Sequence, residues 1–400
     1  MSEPLDKPLD NLLIHGDAAE ALDALLPRLE GQVDVVYIDP PYNTGAAIEA
    51  HGPGVIYDDD MSHEAWLEMM RGVLERIQRL LAPTGSLFVQ LDDNELDYLK
   101  VTADGVFGRR NFVNRVTIAA RSPSSFSTVN RGVFKASEYL LWYARDRDSV
   151  RCNPLRVPRP PDRAYGMYLL NPEAPYEEWR FSTVRKSCPA GMERDRFQVK
   201  HAAQVCRLAT ISDKKAGRAT VELKHQSKAD PKRVFKLERP GLTPQYITRG
   251  QQLIFYDRQI AVIDGEACAS RPLTNIWTDL RWEGLSREGG VTFRKGKKPE
   301  SLLRRVLQLT TAPGDLMLDC FLGSGTAAAV AHKCGRRWIG VEAGEHVGLA
   351  RDRLEAVIAG RDRTGVTGVE DWTGGGRFQS VTIDELPDVI NLSRSQAETT

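Results

Sequence analysis

Val33-Asp34-Val35-Val36-Tyr37-Ile38-Asp39-Pro40-Pro41-Tyr42-Asn43-Thr44-Gly45 is the stretch whose reading sets the fold. Its first half is a short apolar run rich in β-branched and aromatic residues, the composition of a strand buried in a parallel sheet. Its second half ends that strand abruptly. Pro40 and Pro41 lack the N–H that a ladder needs, and the residue before each proline is held extended. Asp39 is thereby displayed at the carboxyl end of the strand, where open α/β sheets keep their ligands.

The chemistry offered there is specific. Asp39 can accept a hydrogen bond from an amino group, the Pro40 carbonyl can accept a second, and Tyr42 presents a flat face to a ring. Together these groups describe a receptor for an aromatic exocyclic amine, such as the edge of adenine or cytosine. An ordinary strand followed by a proline turn accounts for the same four residues, so a second site must decide.

Working outward, 400 residues are too many for one ordinary core and predict a large α/β domain with an insertion or a second domain. No apolar run reaches the length of a membrane span, and Met1-Ser2-Glu3-Pro4 lacks the basic-then-apolar pattern of a signal. The six cysteines form no C-x-x-C pair, and the seven histidines share no metal spacing. These features predict a reducing cytoplasm, no metal and no disulfide framework. The formal net charge is zero, yet residues 1–150 carry 14 Lys and Arg against 24 Asp and Glu, whereas residues 151–260 carry 22 against 11. A charged segment is most often a solvated face, but a basic block of this length is a candidate for contact with a phosphate backbone.

Residues 11–17 read as a strand ending in Gly16-Asp17, and 18–29 as a helix leading into the Asp39 strand. A helix over 62–81 with Ser62 as its cap follows, stopped by Ala82-Pro83-Thr84-Gly85. Further on, 86–91 reads as a strand, 92–107 as a helix, and 112–119 and 138–144 as strands. The polar loop Arg121–Asn130 lies between the last two, and Asp58-Asp59-Asp60 reads as a solvated turn. From about 150 to 270 the pattern weakens and prolines crowd residues 153–161, as in an inserted domain. Regularity returns with a helix over 300–309.

The second site follows. Leu316–Phe321 reads as a buried strand, Leu322-Gly323-Ser324-Gly325-Thr326 as a glycine turn, and 327–333 as a helix; the next strand, Arg337–Glu342, ends in an acid. Glycines at 323 and 325 allow close approach of backbone to a ligand, and an acid at the neighbouring strand end can bind two ribose hydroxyls. Alone, Gly323-x-Gly325-x-x-Ala328 with Glu342 also fits a dinucleotide fingerprint. The amine receptor at Asp39 breaks the tie, because a nicotinamide enzyme has no use for one.

Asp39-Pro-Pro-Tyr42 together with Phe321-x-Gly-Ser-Gly-Thr326 resembles the paired motifs of DNA amino-methyltransferases, and Lys298-Pro299-Glu300 resembles the segment that precedes the second motif. The catalytic motif comes first, 284 residues ahead (323 − 39), which resembles the β class. Ile14–Asp17, Asp39–Gly45, Glu138–Tyr143 and Gly374–Phe378 look most like the Mod subunits of type III restriction–modification systems. The likeness covers roughly 11–145 and 291–380. It leaves out the middle, where the chain is shorter than that family usually is, and Ala327 stands where a second threonine is common.

The resemblance implies a circularly permuted, Rossmann-like methyltransferase sheet that uses S-adenosylmethionine (SAM), interrupted by a target-recognition domain. The expected boundaries are 1–150 for the catalytic half, 151–270 for the insertion, 271–380 for the SAM half and 381–400 for a tail. It implies that Asp39, Pro40, Pro41 and Tyr42 form the catalytic motif, with Asp39 and the Pro40 carbonyl holding the target amine and Tyr42 stacking on a flipped adenine of double-stranded DNA. Asp17, Lys298, Phe321, Gly323, Ser324, Gly325, Thr326 and Glu342 would hold SAM, with Asp17 on its adenine, Glu342 on its ribose and Lys298 near its carboxylate. The implied partners are a second copy of the chain and a restriction subunit carrying helicase and nuclease. Cytosine-N4 methylation, RNA methylation and a non-catalytic specificity subunit are the competing readings.

Overall fold

A computed structural model of the protein describes residues 11–44, 61–121, 133–282, 284–293 and 296–395. Gly45, the acidic run Asp58–Asp60 and the polar loop from residue 122 to 130 lie outside the described residues. The chain divides into two compact units, Pro154–Leu273 and the segments on either side of it. No described helix is long and apolar enough to cross a membrane.

The flanking segments build one mixed sheet of nine strands. In chain order these are β1 (Asn11–His15), β2 (Val33–Ile38), β3 (Leu81–Leu91), β4 (Phe112–Ala119), β5 (Ser137–Ala144), β6 (Ile276–Trp277), β7 (Leu316–Asp319), β8 (Arg337–Glu342) and β9 (Phe378–Thr382). Their helices are α1 (Ala18–Leu29), α2 (His63–Leu80), α3 (Leu96–Phe107), α4 (Glu300–Thr310), α5 (Thr326–Lys333), α6 (Val347–Ile358) and α7 (Leu386–Ser395). The spatial order is β6-β4-β5-β3-β2-β7-β8-β1-β9. Every pairing is parallel except those of β5, which is antiparallel to both β3 and β4.

The centre of the sheet is where the chain order breaks. β2 and β7 pair side by side, Val35 against Met317 and Val36 against Leu318, although they come from opposite ends of the chain. From β2 the chain passes through α2 to β3 on one side, and from β7 through α5 to β8 on the other. This divergence is a topological switch point, and it opens a crevice at the carboxyl ends of the two strands. Asp39 follows β2 directly and the glycine turn follows β7. The near-complete burial of both strands explains their unbroken apolar character.

Local chemistry sets the element ends. Asp17 caps α1, its Oδ1 accepting from the amides of Ala19 (2.8 Å) and Glu20 (3.1 Å). Ser62 caps α2 through the Ala65 amide at 3.2 Å. α2 ends at Leu80, just before Ala82–Gly85; β3 already begins at Leu81, and its register against β2 shifts across this stretch, from Leu81 opposite Val33 to Ser86 opposite Val35. The Thr84 and Gly85 carbonyls accept from the Arg151 and Arg145 amides (3.1 and 3.0 Å), so the backbone stays paired despite Pro83. α3 starts four residues later than expected, since Asp92 accepts the Asn94 amide (2.9 Å) and closes a local turn instead. At the other end, 381–395 is part of the fold. β9 pairs with β1, Leu386 and Ile390 join the core, and Arg28 of α1 donates to the Ile390 carbonyl at 2.9 Å.

The unit Pro154–Leu273 is built differently. Six antiparallel strands run in the spatial order Phe235–Arg239, Leu242–Thr248, Gln251–Phe255, Val205–Thr210, Met167–Leu169, Phe181–Thr183, and three more form a small second sheet. Tyr165, Val184, Phe197, Val205 and Tyr256 form a core of its own. The unit carries 22 Lys and Arg against 13 Asp and Glu. Arg185, Lys186, Lys214, Lys215, Arg218, Lys228, Lys232 and Arg233 are exposed.

Candidate active site

Four buried or half-buried polar side chains meet beyond β2. Asp39 Oδ2 lies 3.0 Å from the Lys298 ammonium, and Asp39 Oδ1 accepts from the Tyr42 hydroxyl at 2.9 Å. The same hydroxyl is 3.2 Å from Glu138 Oε2, and Lys298 Nζ is 3.6 Å from that atom. Glu138 is held in turn from β3: Gln90 Nε2 donates to its Oε2 at 2.6 Å, and Gln90 Oε1 accepts from the Tyr37 hydroxyl at 2.6 Å. That last bond fixes which way the Gln90 amide faces. One donor, the Gln90 amide, is committed to that Glu138 oxygen, with the Lys298 ammonium and the Tyr42 hydroxyl gathered beside it.

Burial governs the electrostatics. Desolvation pushes the Asp39 carboxyl above the ordinary aspartate range, against the pull of Lys298 and with a further push from Glu138. Desolvation alone would lower the Lys298 ammonium, but Asp39 and Glu138 outweigh it and keep the group charged. The Tyr42 hydroxyl is pushed far up by burial and by the same two carboxylates, so it stays a donor. Two buried carboxylates sharing one ammonium satisfy one another at a cost that an apolar pocket would not carry.

The turn after Asp39 is fixed from outside. Trp66 Nε1 donates to the Pro41 carbonyl at 2.8 Å. Asn43 sits in the left-handed region (φ 54°), its amide donating to Glu95 Oε1 at 2.9 Å, while His63 Nδ1 lies 2.8 Å from Glu95 Oε2. Asn94 donates to the Tyr42 carbonyl at 3.2 Å and also to that of Asn43. Together these bonds hold the segment that displays Asp39 and Tyr42.

On the β7 side the glycine turn is shaped by Glu342, whose carboxylate accepts the Gly323 amide (2.7 Å) and the Gly344 amide (3.0 Å). The two glycines do different work. A side chain on Gly323 (φ 54°) would meet only the Phe293 ring at 3.9 Å, so this backbone faces open space. One on Gly325 (φ 76°) would press on Ala350 of α6 at 3.1 Å, so this glycine seats the turn on the helix. Ser324 and Thr326 hydroxyls are 3.2 Å apart, and Arg353 donates to Thr326 Oγ1 at 2.7 Å. Asp319 accepts the Phe321 amide at 3.0 Å, and burial drives its carboxyl well above the ordinary range. Glu342 also pairs in register with His15, and the Gly16 amide donates to the Glu342 carbonyl at 3.1 Å, which brings Asp17 to the same edge. An open glycine backbone flanked by hydroxyls and two strand-end acids suits a ligand with a ribose and an amino-acid end.

Two assignments take a different form in the structure. Lys298 pairs with Asp39 and Glu138, on the amine-receptor side of the crevice. Asp17 is exposed and spends one oxygen on capping α1. Glu138 and Gln90 escaped sequence reasoning as site residues, although each is a polar residue inside an otherwise apolar strand. Trp277 is packing: it is buried, donates to the Thr274 carbonyl at 2.7 Å, and lies under the Arg305 guanidinium.

The family model described as DNA methylase (N6_N4_Mtase) matches residues 33–348. The chain is 30% identical over 410 residues to the probable type III restriction-modification enzyme HindVI Mod subunit of Haemophilus influenzae, covering 93% of this chain and 53% of that one. It is 26% identical to the type II methyltransferase M.EcaI of Enterobacter cloacae, covering 88% of this chain and 70% of that one. It is also 26% identical to the StyLTI Mod subunit of Salmonella typhimurium, covering 81% and 50%. The chain thus spans about half the length of these Mod subunits.

Proposed function

The chain belongs to the N6_N4_Mtase family of DNA methylases, and from that membership we propose that it transfers a methyl group from SAM to the exocyclic amine of adenine in double-stranded DNA. The observation that carries the reading is the meeting of two strand ends, Asp39-Pro40 after β2 and Gly323–Thr326 after β7, at the switch point of the sheet.

SAM, when bound, supplies a methyl group on a positively charged sulfur. The glycine turn would receive its amino-acid end, Glu342 and Asp17 its nucleoside, with Phe321 beside them. Everything else falls to the protein. An adenine amine inside a duplex is out of reach, so the base is extruded and stacks on Tyr42. Asp39 and the Pro40 carbonyl accept the two amine hydrogens and draw the nitrogen toward tetrahedral geometry, freeing its lone pair from the ring. As the N–C bond forms and the methyl's bond to sulfur breaks, its electron pair leaving with the sulfur, positive charge develops on the nitrogen beside Asp39. The nitrogen then releases one proton, which Asp39 can accept because burial has raised its affinity for it.

The basic unit Pro154–Leu273 would grip the phosphate backbone and read the target sequence. A restriction subunit and a second copy of the chain complete the proposed assembly. The test is incubation of DNA, and in parallel of RNA, with methyl-labelled SAM, followed by analysis of nucleosides. N6-methyladenine is the expected product; N4-methylcytosine would change the substrate, and label in RNA alone would change its class.

A further inference from the structure

The Lys298 ammonium stands where the substrate must go. It is 3.0 Å from the Asp39 oxygen that faces it, and it lies over the Tyr42 ring, 4.9 Å from the centroid. An entering base needs both the carboxylate and a ring face. An ammonium left beside Asp39 would also oppose the positive charge that develops on the amine nitrogen, and in a water-poor pocket that repulsion is strong.

Among the described residues, Lys298 has one other anion in reach. Glu138 Oε2 is 3.6 Å away, a shift of well under a side-chain rotamer, and the carboxylate is already fixed by Gln90 and Tyr42. Resting on the amino-methyltransferase reading above, we propose that Glu138 is a positioning residue for methyl transfer: it takes over the Lys298 ammonium when the target amine displaces it from Asp39. In the empty pocket Lys298 neutralises one of two buried carboxylates. In the loaded pocket it stays on Glu138, so that Asp39, Glu138 and Lys298 together keep a net negative charge against the amine. Replacing Glu138 by glutamine leaves that trio neutral and, beside the Gly296 carbonyl that already accepts from Lys298 at 3.2 Å, leaves Asp39 as the one carboxylate of the trio for the ammonium to hold.

The readout is a double-mutant cycle in single-turnover methyl transfer, with dissociation constants for SAM and DNA measured alongside. Glu138→Gln is expected to slow transfer by about a hundredfold, the scale of losing one preorganised electrostatic contact, with both dissociation constants within about threefold of wild type. Adding Lys298→Met to Glu138→Gln removes the competing cation and is expected to recover at least about tenfold of the rate, a non-additivity that a purely structural role does not produce. A crystal structure of the wild-type protein on its methylated sequence provides a readout independent of the variants, with Lys298 Nζ expected on Glu138 and beyond hydrogen-bond distance of Asp39. Wild-type transfer in Glu138→Gln, additive losses in the cycle, or a Lys298–Asp39 pair persisting in the DNA complex would each overturn the proposal. Failure of the wild-type protein to methylate DNA while still binding SAM would instead overturn the reading it rests on.

Discussion

At the scale of single residues, Asp39 is the position where the account is most exposed. It accepts from Tyr42 and pairs with Lys298, and its acceptor role grows as the amine changes geometry. Asp39→Ala is therefore expected to cost about a hundredfold or more in transfer while leaving SAM and DNA affinity nearly unchanged. The pH dependence follows from the same group. Burial raises the Asp39 carboxyl, and its ionised form is both the stronger acceptor for the amine and the form able to take up the released proton, so the rate should rise with pH through a limb lying above the ordinary aspartate range. A limb at or below that range would show the group to be solvated. Asp39 was legible because two prolines and a strand leave little else for that aspartate to do. Glu138 was not, because its partners come from the turn after β2, from β3 and from the segment before α4, and no spacing within one strand reports such contacts.

At the scale of elements, the glycine turn rests on a buried ionic core. Lys333 of α5 donates to both Glu300 oxygens (2.9 and 2.8 Å) and to Asp362 (2.7 Å), while Arg353 of α6 reaches both Glu300 and Thr326. All of these side chains are out of solvent. Lys333→Met leaves two buried carboxylates with less compensation and is expected to destabilise the protein by about 3–5 kcal/mol, read as a fall in denaturation midpoint. Gly325→Ala acts locally, forcing a left-handed residue against Ala350, and should lose about 1–2 kcal/mol together with most of the SAM-induced rise in melting temperature. Periodicity and caps made the elements around this turn readable. The ionic core was not readable, since Glu300, Lys333 and Arg353 look like ordinary surface residues of helices until the fold buries them. The segment 381–395, expected as a tail, was missed for a related reason: β9 is a short edge strand with three of its five residues exposed and no clean alternation, so only its partner β1 identifies it.

At the scale of the whole molecule, the order of the motifs along the chain predicted a sheet closed from two distant segments, and the pairing of β2 with β7 is how the protein closes it. The middle gave only its charge. Its strands are short and half-exposed, and few of them alternate cleanly enough to be read. If this unit grips phosphates, DNA affinity should fall steeply with salt, and removal of residues 154–273 should abolish DNA binding while the SAM-induced thermal shift survives. Salt-independent binding would place the DNA contact elsewhere. The central claim, that the strand end at Asp39 methylates adenine in DNA, is tested most directly by long-read sequencing of DNA from cells expressing either the wild-type protein or Asp39→Ala. The account expects N6-methyladenine at one short recurring sequence with the wild type and none with the variant; no modified base with the wild type, or the same modification in both, would contradict it.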